Sequence, residues 1–202
     1  MIKITNLRKA FGSRLLFDDF SLNIENGEFV VFSGVSGSGK STLLHMIGGI
    51  EPFDLGDIQV NGYSLKDKRN RRKYFLTEIG FLFQNFALID NKTAEQNLKM
   101  IKNNARSEVS FQDALEFVGM ENKIKQPVYT LSGGEQQRIA VARLLLKKCN
   151  VILADEPTGS LDRANADAVF ELLSKLNGLG KTVIVVSHDE NIKNKGKRVI
   201  SL

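Results

Sequence analysis

The chain has 202 residues, 42% hydrophobic and 25% charged, the balance of one ordinary globular domain, which excludes disorder over most of its length. A single cysteine, Cys149, rules out an intrachain disulfide framework and suits a reducing compartment. The net charge is +5, and residues 66–73 (Lys-Asp-Lys-Arg-Asn-Arg-Arg-Lys) hold six basic residues and one acidic one, so the other residues sum to zero. That is one local basic segment, unlike the spread footprint of a nucleic-acid-binding surface.

Met1 to Thr5 shows no apolar core of signal-peptide length, and the strongest apolar stretches, such as Val183 to Val186, fall far short of the roughly 20 residues that span a bilayer. Any membrane role is expected to run through a partner. Strand-like and helix-like runs alternate, which predicts an α/β domain. Strands are expected at Ile2 to Asn6, Ser21 to Ile24 and Phe29 to Ser33, then a helix from Lys40 to Ile50. A short strand, Asp57 to Val60, ends at the turn pair Asn61-Gly62. The basic segment 66–73 reads by default as a solvated loop, with attraction to anionic lipid as the next reading. Another strand is expected at Ile79 to Phe83, and helices at Thr93 to Lys102, Ser110 to Val118 and Glu135 to Lys147. Strands return at Val151 to Ala154 and Thr182 to Val186, with a helix from Arg163 to Leu176 between them. The expected organisation is one domain: an α/β core, residues 1–84 and 148–202, interrupted by a helical subdomain, 85–147.

Three segments carry chemistry. Gly34-Val35-Ser36-Gly37-Ser38-Gly39-Lys40-Ser41 matches the P-loop pattern and lies between a strand and a helix, as that motif requires. Its glycines let successive backbone N–H groups turn toward one anion, and the following helix adds its positive dipole end. Gly34, Val35, Ser36, Gly37, Ser38, Gly39, Lys40, Ser41 and Thr42 are therefore expected to bind nucleotide, with Lys40 reaching the terminal phosphates and Ser41 offering its hydroxyl to Mg²⁺. Gly180-Lys181-Thr182 repeats the last letters of the motif but precedes a strand, and reads as a turn. Second, the apolar run Val151 to Ala154 ends in Asp155-Glu156. Parallel strands deliver ligand groups at their carboxyl ends. Asp155 is expected in the Mg²⁺ shell, and Glu156 beside the γ-phosphate as the base that polarises the attacking water. Third, Ser132 and Glu135 have capping-box spacing around the pair Gly133-Gly134. Paired glycines cost helix stability, so they are read as keeping the amides open to a second phosphate contact. Two phosphate cradles and one lysine loop in one chain suggest a head-to-tail dimer, each nucleotide lying between the loop of one copy and the capped helix of the other.

Leu131-Ser132-Gly133-Gly134-Glu135-Gln136-Gln137-Arg138 resembles the signature motif of ABC-type ATPases, and the resemblance extends over essentially the whole chain. It implies a P-loop NTPase with a RecA-like core, a β-rich N-terminal part and an inserted helical subdomain. It implies that Gln84 is the Q-loop residue, contacting Mg²⁺ or the attacking water, that Ser160-Leu161-Asp162 is the D-loop with Asp162 at the dimer seam, and that His188 is the switch histidine at the γ-phosphate. Phe11 takes the place of the aromatic that stacks on adenine; it is phenylalanine where tyrosine is commoner, and stacking alone implies weak discrimination between ATP and GTP. His45 matches no motif and is expected to be structural, and Cys149 to be a small semi-buried residue before a strand.

The resemblance further implies an ATP-hydrolysing subunit that works on Mg²⁺ and ATP at the cytoplasmic face of the cell membrane and drives a separate integral-membrane permease. The permease contact is expected around Gln84, Phe86, Leu88 and Ile89. The run from Asp155 to Asp162 most resembles the subgroup serving lipoprotein release, macrolide efflux and antimicrobial-peptide export or resistance. The alternative is a soluble ABC ATPase acting on nucleic acid or ribosomes. It is disfavoured because the chain holds neither a long coiled coil nor a second cassette; no nucleic-acid partner is expected.

Overall fold

The computed structural model describes residues 1–189, 192–193 and 196–202. Two sheets organise it. The first is antiparallel, built from β1 (Ile2–Phe11), β2 (Arg14–Ile24), β4 (Leu55–Val60) and β5 (Tyr63–Ser64) in the order β2-β1-β4-β5. The second is parallel, built from β3 (Phe29–Ser33), β6 (Ile79–Phe83), β7 (Val151–Asp155), β8 (Thr182–Val186) and β9 (Arg198–Ser201) in the order β6-β7-β8-β3-β9. Among the described residues six α-helices accompany them: α1 (Lys40–Ile47), α2 (Lys68–Thr77), α3 (Ala94–Lys99), α4 (Phe111–Val118), α5 (Gly133–Leu146) and α6 (Arg163–Gly178).

The parallel strands are apolar without alternation because both faces of their sheet are covered. Phe29 and Val31 of β3 pack with α4, α5 and α6, while Val30 and Phe32 pack with α1 and the antiparallel sheet. The same alternation holds in β7, where Ile152 and Ala154 face one core and Val151 and Leu153 the other. This sandwich fixes the carboxyl ends of β3, β6, β7 and β8 in neighbouring register: Phe83 opposes Asp155, and Asp155 opposes Val186.

Several expected elements are longer or differently placed. β1 and β2 form one long hairpin whose pairing slips between Ile4 and Ala10, so the polar, outward residues of Arg14–Phe20 belong to a strand that periodicity does not reveal. The basic segment is not simply a loop. From Lys68 onward it is the first part of α2, capped by Asp67, whose side chain accepts from the Arg69 amide. Tyr74 anchors this helix: its ring is fully buried and its hydroxyl donates to the Ile47 carbonyl at 2.6 Å, and burial raises its pKa. Cys149 is fully buried, not half-exposed. Among the described residues no helix is long and apolar enough to cross a membrane.

Candidate active site

The P-loop runs from the end of β3 to the start of α1. Gly39 precedes α1 with φ +101°, and a Cβ there would stand 2.8 Å from the Phe17 ring, so the entry to the helix requires glycine. Lys40 is buried, and its ammonium donates to the carbonyls of Gly34 (2.9 Å) and Val35 (2.8 Å), folding it back over its own loop. The Ser38 hydroxyl is buried without a partner among the described residues, as a donor reserved for an oxyanion would be. Beside the loop a cleft of about 460 Å³ is lined by Phe11, Arg14, Leu16, Ser36, Gly37, Gly39, Lys40, Ser41, Thr42 and Glu156.

A second cleft, of about 340 Å³, adjoins it and shares Ser41 and Glu156; its other walls are Phe83, Gln84, Asn85 and Asp155. The strand register explains this grouping, because Phe83, Asp155 and Val186 stand side by side at the sheet's edge. Ser41 donates to Asp155 Oδ1 at 2.7 Å. Burial raises the Asp155 pKa, but the contacts of His45 and Ser41 outweigh it, and the carboxyl is held below its ordinary value. One hydroxyl, one amide oxygen and one carboxylate make a hard oxygen set. Mg²⁺ is held in this manner, by few protein ligands together with waters and substrate phosphates. Among the described residues no cluster of three or more His, Cys, Asp or Glu offers a competing all-protein cage. Ser41, Gln84 and Asp155 therefore fit the ion.

Glu156 follows Asp155 in an unusual conformation. Its φ is +46°, and its amide donates to the Val186 carbonyl at 3.0 Å. A left-handed backbone at a non-glycine residue costs about 1–3 kcal/mol and persists where the surroundings impose it. Here it turns the carboxylate into both clefts. Glu156 Oε1 lies 2.9 Å from Nδ1 of His188, whose ring is otherwise mostly exposed.

The signature segment stands elsewhere. Ser132 is exposed at the head of α5 and accepts from the Glu135 amide at 3.3 Å, while Glu135 accepts from the Ser132 amide at 2.8 Å. That amide, with burial opposing and Lys123 assisting, keeps the Glu135 carboxyl below its usual pKa. Neither Ser132, Gly133 nor Gly134 lines either cleft, and neither does Asp162, which caps α6 by accepting from the Asn165 amide at 2.9 Å. The second glycine of the pair, Gly134, has a packing cause that the spacing does not reveal. A Cβ on Gly134 would stand 2.0 Å from Asn165 Oδ1, an atom that also accepts from Arg138. Gly134→Ala is therefore expected to destabilise the fold by about 1–3 kcal/mol, read as a lower denaturation midpoint.

A family model described as "ABC transporter" matches residues 17–159. The chain belongs to the ABC transporter family. It is an ATP-binding domain of that family and an ABC ATPase, with the P-loop fold that pairs an antiparallel sheet with a parallel core sheet. "Lipoprotein-releasing system ATP-binding protein LolD 1" of Chlorobium chlorochromatii is 39% identical over 216 aligned positions, spanning 100% of this cassette and 88% of its own length. "Macrolide export ATP-binding/permease protein MacB" of Bdellovibrio bacteriovorus is also 39% identical over 100% of this cassette, which spans only 32% of that longer protein. Among solved structures, dimeric MJ0796, a bacterial ABC transporter cassette, superposes with a TM-score of 0.86 at 38% identity, covering 100% of this chain and 94% of that one. A dimeric post-hydrolysis state of MJ0796 bound to ADP and Pi gives 0.84 at 35% identity, with the same coverage.

Four residues of the cassette's site escaped the sequence reading. Arg14 lines the larger cleft and donates to the Gly37 carbonyl at 2.6 Å; the tight hairpin after Phe11 was its only signal. Gln137, buried within the signature helix, donates to the carbonyls of Phe83 (3.2 Å) and Pro157, tying α5 to the ends of β6 and β7. Arg143 donates to the carbonyls of Phe86 and Ala87, two consecutive residues with φ of +61° and +49°. His45 contacts Asp155. Phe86 itself is half-buried, its ring 3.5 Å from where a Gly133 Cβ would stand.

Proposed function

We propose that the cassette binds Mg·ATP between two copies of itself and drives a separate permease that moves a lipid-linked, peptide or drug-like cargo outward. One observation carries the two-copy reading: the exposed signature cap contributes nothing to the clefts of its own chain, which leaves it free for a facing copy. The dimeric MJ0796 cassettes and the LolD and MacB relatives support the reading.

In this reading adenine stacks on Phe11, whose other face carries the Lys9 ammonium 4.3 Å from the ring centre. The loop amides and Lys40 hold the phosphates. Mg²⁺, when bound by Ser41, Gln84 and Asp155, neutralises charge on the phosphate oxygens. Glu156 accepts a proton from a water as the water's oxygen bonds to the γ-phosphorus and the bond to ADP breaks, leaving ADP and phosphate. His188 fixes the Glu156 carboxylate through Nδ1 and keeps its other ring nitrogen for the γ-phosphate. Ser132, Gly133, Gly134 and Asp162 act from the facing copy. A γ-phosphate held by both copies favours the closed pair, and hydrolysis removes that tie.

The permease contact around Gln84, Phe86, Leu88 and Ile89 extends in this reading into a neighbouring groove of about 420 Å³, lined by Phe75, Phe81, Phe83, Ala87 and Leu144 and by none of those four residues. In this reading the cassette works at the cytoplasmic face of the membrane. Purification from native membranes in mild detergent tests the assignment. A co-purifying polytopic membrane protein supports it; ribosomes or DNA in its place contradict it.

Residues 66–73 form a further contact with anionic headgroups in the same reading. Arg69 is almost wholly exposed, and each cation near such a surface contributes about 1 kcal/mol. The cassette is expected to sediment with anionic vesicles at low salt and to be released as salt rises, while neutral vesicles leave it in solution.

A further inference from the structure

His45 lies one helical turn after Ser41 on α1, so both side chains lie on the same face of the helix. That face meets the end of β7. Ser41 Oγ donates to Asp155 Oδ1 at 2.7 Å, and His45 Nε2 lies 3.0 Å from Asp155 Oδ2. The carboxylate is thus flanked on both sides, one oxygen bonded by Ser41 and the other faced by the His45 ring nitrogen. His45 Nε2 is buried and, although it stands close to Asp155, makes no aligned hydrogen bond to any described residue. Its ring is tilted against Phe83, centroids 6.5 Å apart, at the end of the neighbouring strand. Only about a third of the His45 side chain and a sixth of that of Asp155 remain accessible.

The terminal torsion of an aspartate is broad and roughly two-fold. A single donor on one oxygen leaves the second oxygen free to swing. A hydroxyl bonded to one oxygen and a ring nitrogen 3.0 Å from the other, both on one helix, restrict the plane of the carboxylate. Groups that orient a metal-binding carboxylate in this way contribute strongly to metal affinity without touching the ion.

We propose that His45 is a positioning residue for Asp155, setting the plane of the carboxylate that serves Mg²⁺ beside Ser41. The inference rests on the reading of Asp155 as part of the metal site. It assigns His45 no proton transfer and no contact with nucleotide.

The test measures Mn²⁺ binding to the full cassette with ATP by electron paramagnetic resonance of the free ion. ATP affinity in excess chelator and the melting temperature of each variant accompany it. His45→Phe keeps a ring and removes the nitrogen; His45→Gln keeps an N–H donor at the position of Nε2. Asp155→Asn tests the underlying metal reading. His45→Phe is expected to weaken Mn²⁺ binding about 10–100-fold, with ATP affinity in chelator unchanged, and His45→Gln to recover most of the loss. Turnover of His45→Phe should approach the parent rate at saturating Mn²⁺, so that the metal requirement moves and kcat does not. Parent-like Mn²⁺ binding in His45→Phe alongside weakened binding in Asp155→Asn would overturn the role of His45 alone. Equal losses in the Phe and Gln variants would also overturn it, since the donor would then be irrelevant. Parent-like binding in Asp155→Asn would overturn the metal reading and the inference with it.

Discussion

Glu156→Gln is expected to slow ATP hydrolysis by about 10²–10⁴-fold, or roughly 2.7–5.5 kcal/mol of barrier, while leaving ATP binding close to that of the parent. The substitution is nearly isosteric. The amide fits the same left-handed backbone turn, and its oxygen can keep the contact with His188 Nδ1 now made by Glu156 Oε1 at 2.9 Å. What it loses is the capacity to accept a proton from water. The ATP-bound pair of cassettes should therefore accumulate instead of reopening. Phosphate release at saturating Mg·ATP, together with the mass of the ATP-bound species by light scattering, measures both halves. A variant that hydrolyses ATP at the parent rate would remove Glu156 from the role of base.

Lys40→Ala should act one step earlier, on binding. The ammonium is buried in the P-loop, where it already donates to the Gly34 and Val35 carbonyls at 2.9 and 2.8 Å. A desolvated cation that exchanges those carbonyls for phosphate oxygens gains charge-assisted hydrogen bonds worth about 1.5–3 kcal/mol. Its removal is expected to weaken ATP affinity by about 10–150-fold, measured by titration calorimetry. Glu156→Gln should leave that affinity nearly intact. The contrast between the two variants separates binding from chemistry, and unchanged affinity in Lys40→Ala would contradict the assigned role of the loop.

The parallel core was the most legible part of the sequence. β3, β6 and β8 begin and end where their apolar runs do, because a strand buried on both faces has no polar positions to blur its limits. The P-loop and the Asp155-Glu156 pair were legible for a related reason, since their spacing along the chain is itself the chemistry. α2 was hidden by its charge: five cations obscure a helix held in place by one buried tyrosine. β2 was hidden by its exposed outer face and by the register slips of its hairpin. The site residues that escaped notice act across long sequence separations. His45 meets Asp155, Gln137 meets Phe83 and Pro157, and Asn165 fills the space that makes Gly134 obligatory. No local pattern encodes such contacts. The spacing of the signature segment suggests an opening for a ligand at Gly134, and the packing against Asn165 is a second demand for glycine there that no local pattern reveals.

The central claim is that the P-loop of one copy and the signature cap of another close on the same ATP, and disulfide trapping tests it most directly. Val35, at the tip of the P-loop, is 77% exposed, Ser132 is also exposed, and the chain's own Cys149 is buried and does not compete. One preparation carries Val35→Cys and the other Ser132→Cys, both in the Glu156→Gln background. Mild oxidation of the mixture should yield a covalent pair joining the two variants, dependent on ATP, with little product from either preparation alone. A mixture that stays unlinked with ATP, or that links equally well without it, would contradict the shared site.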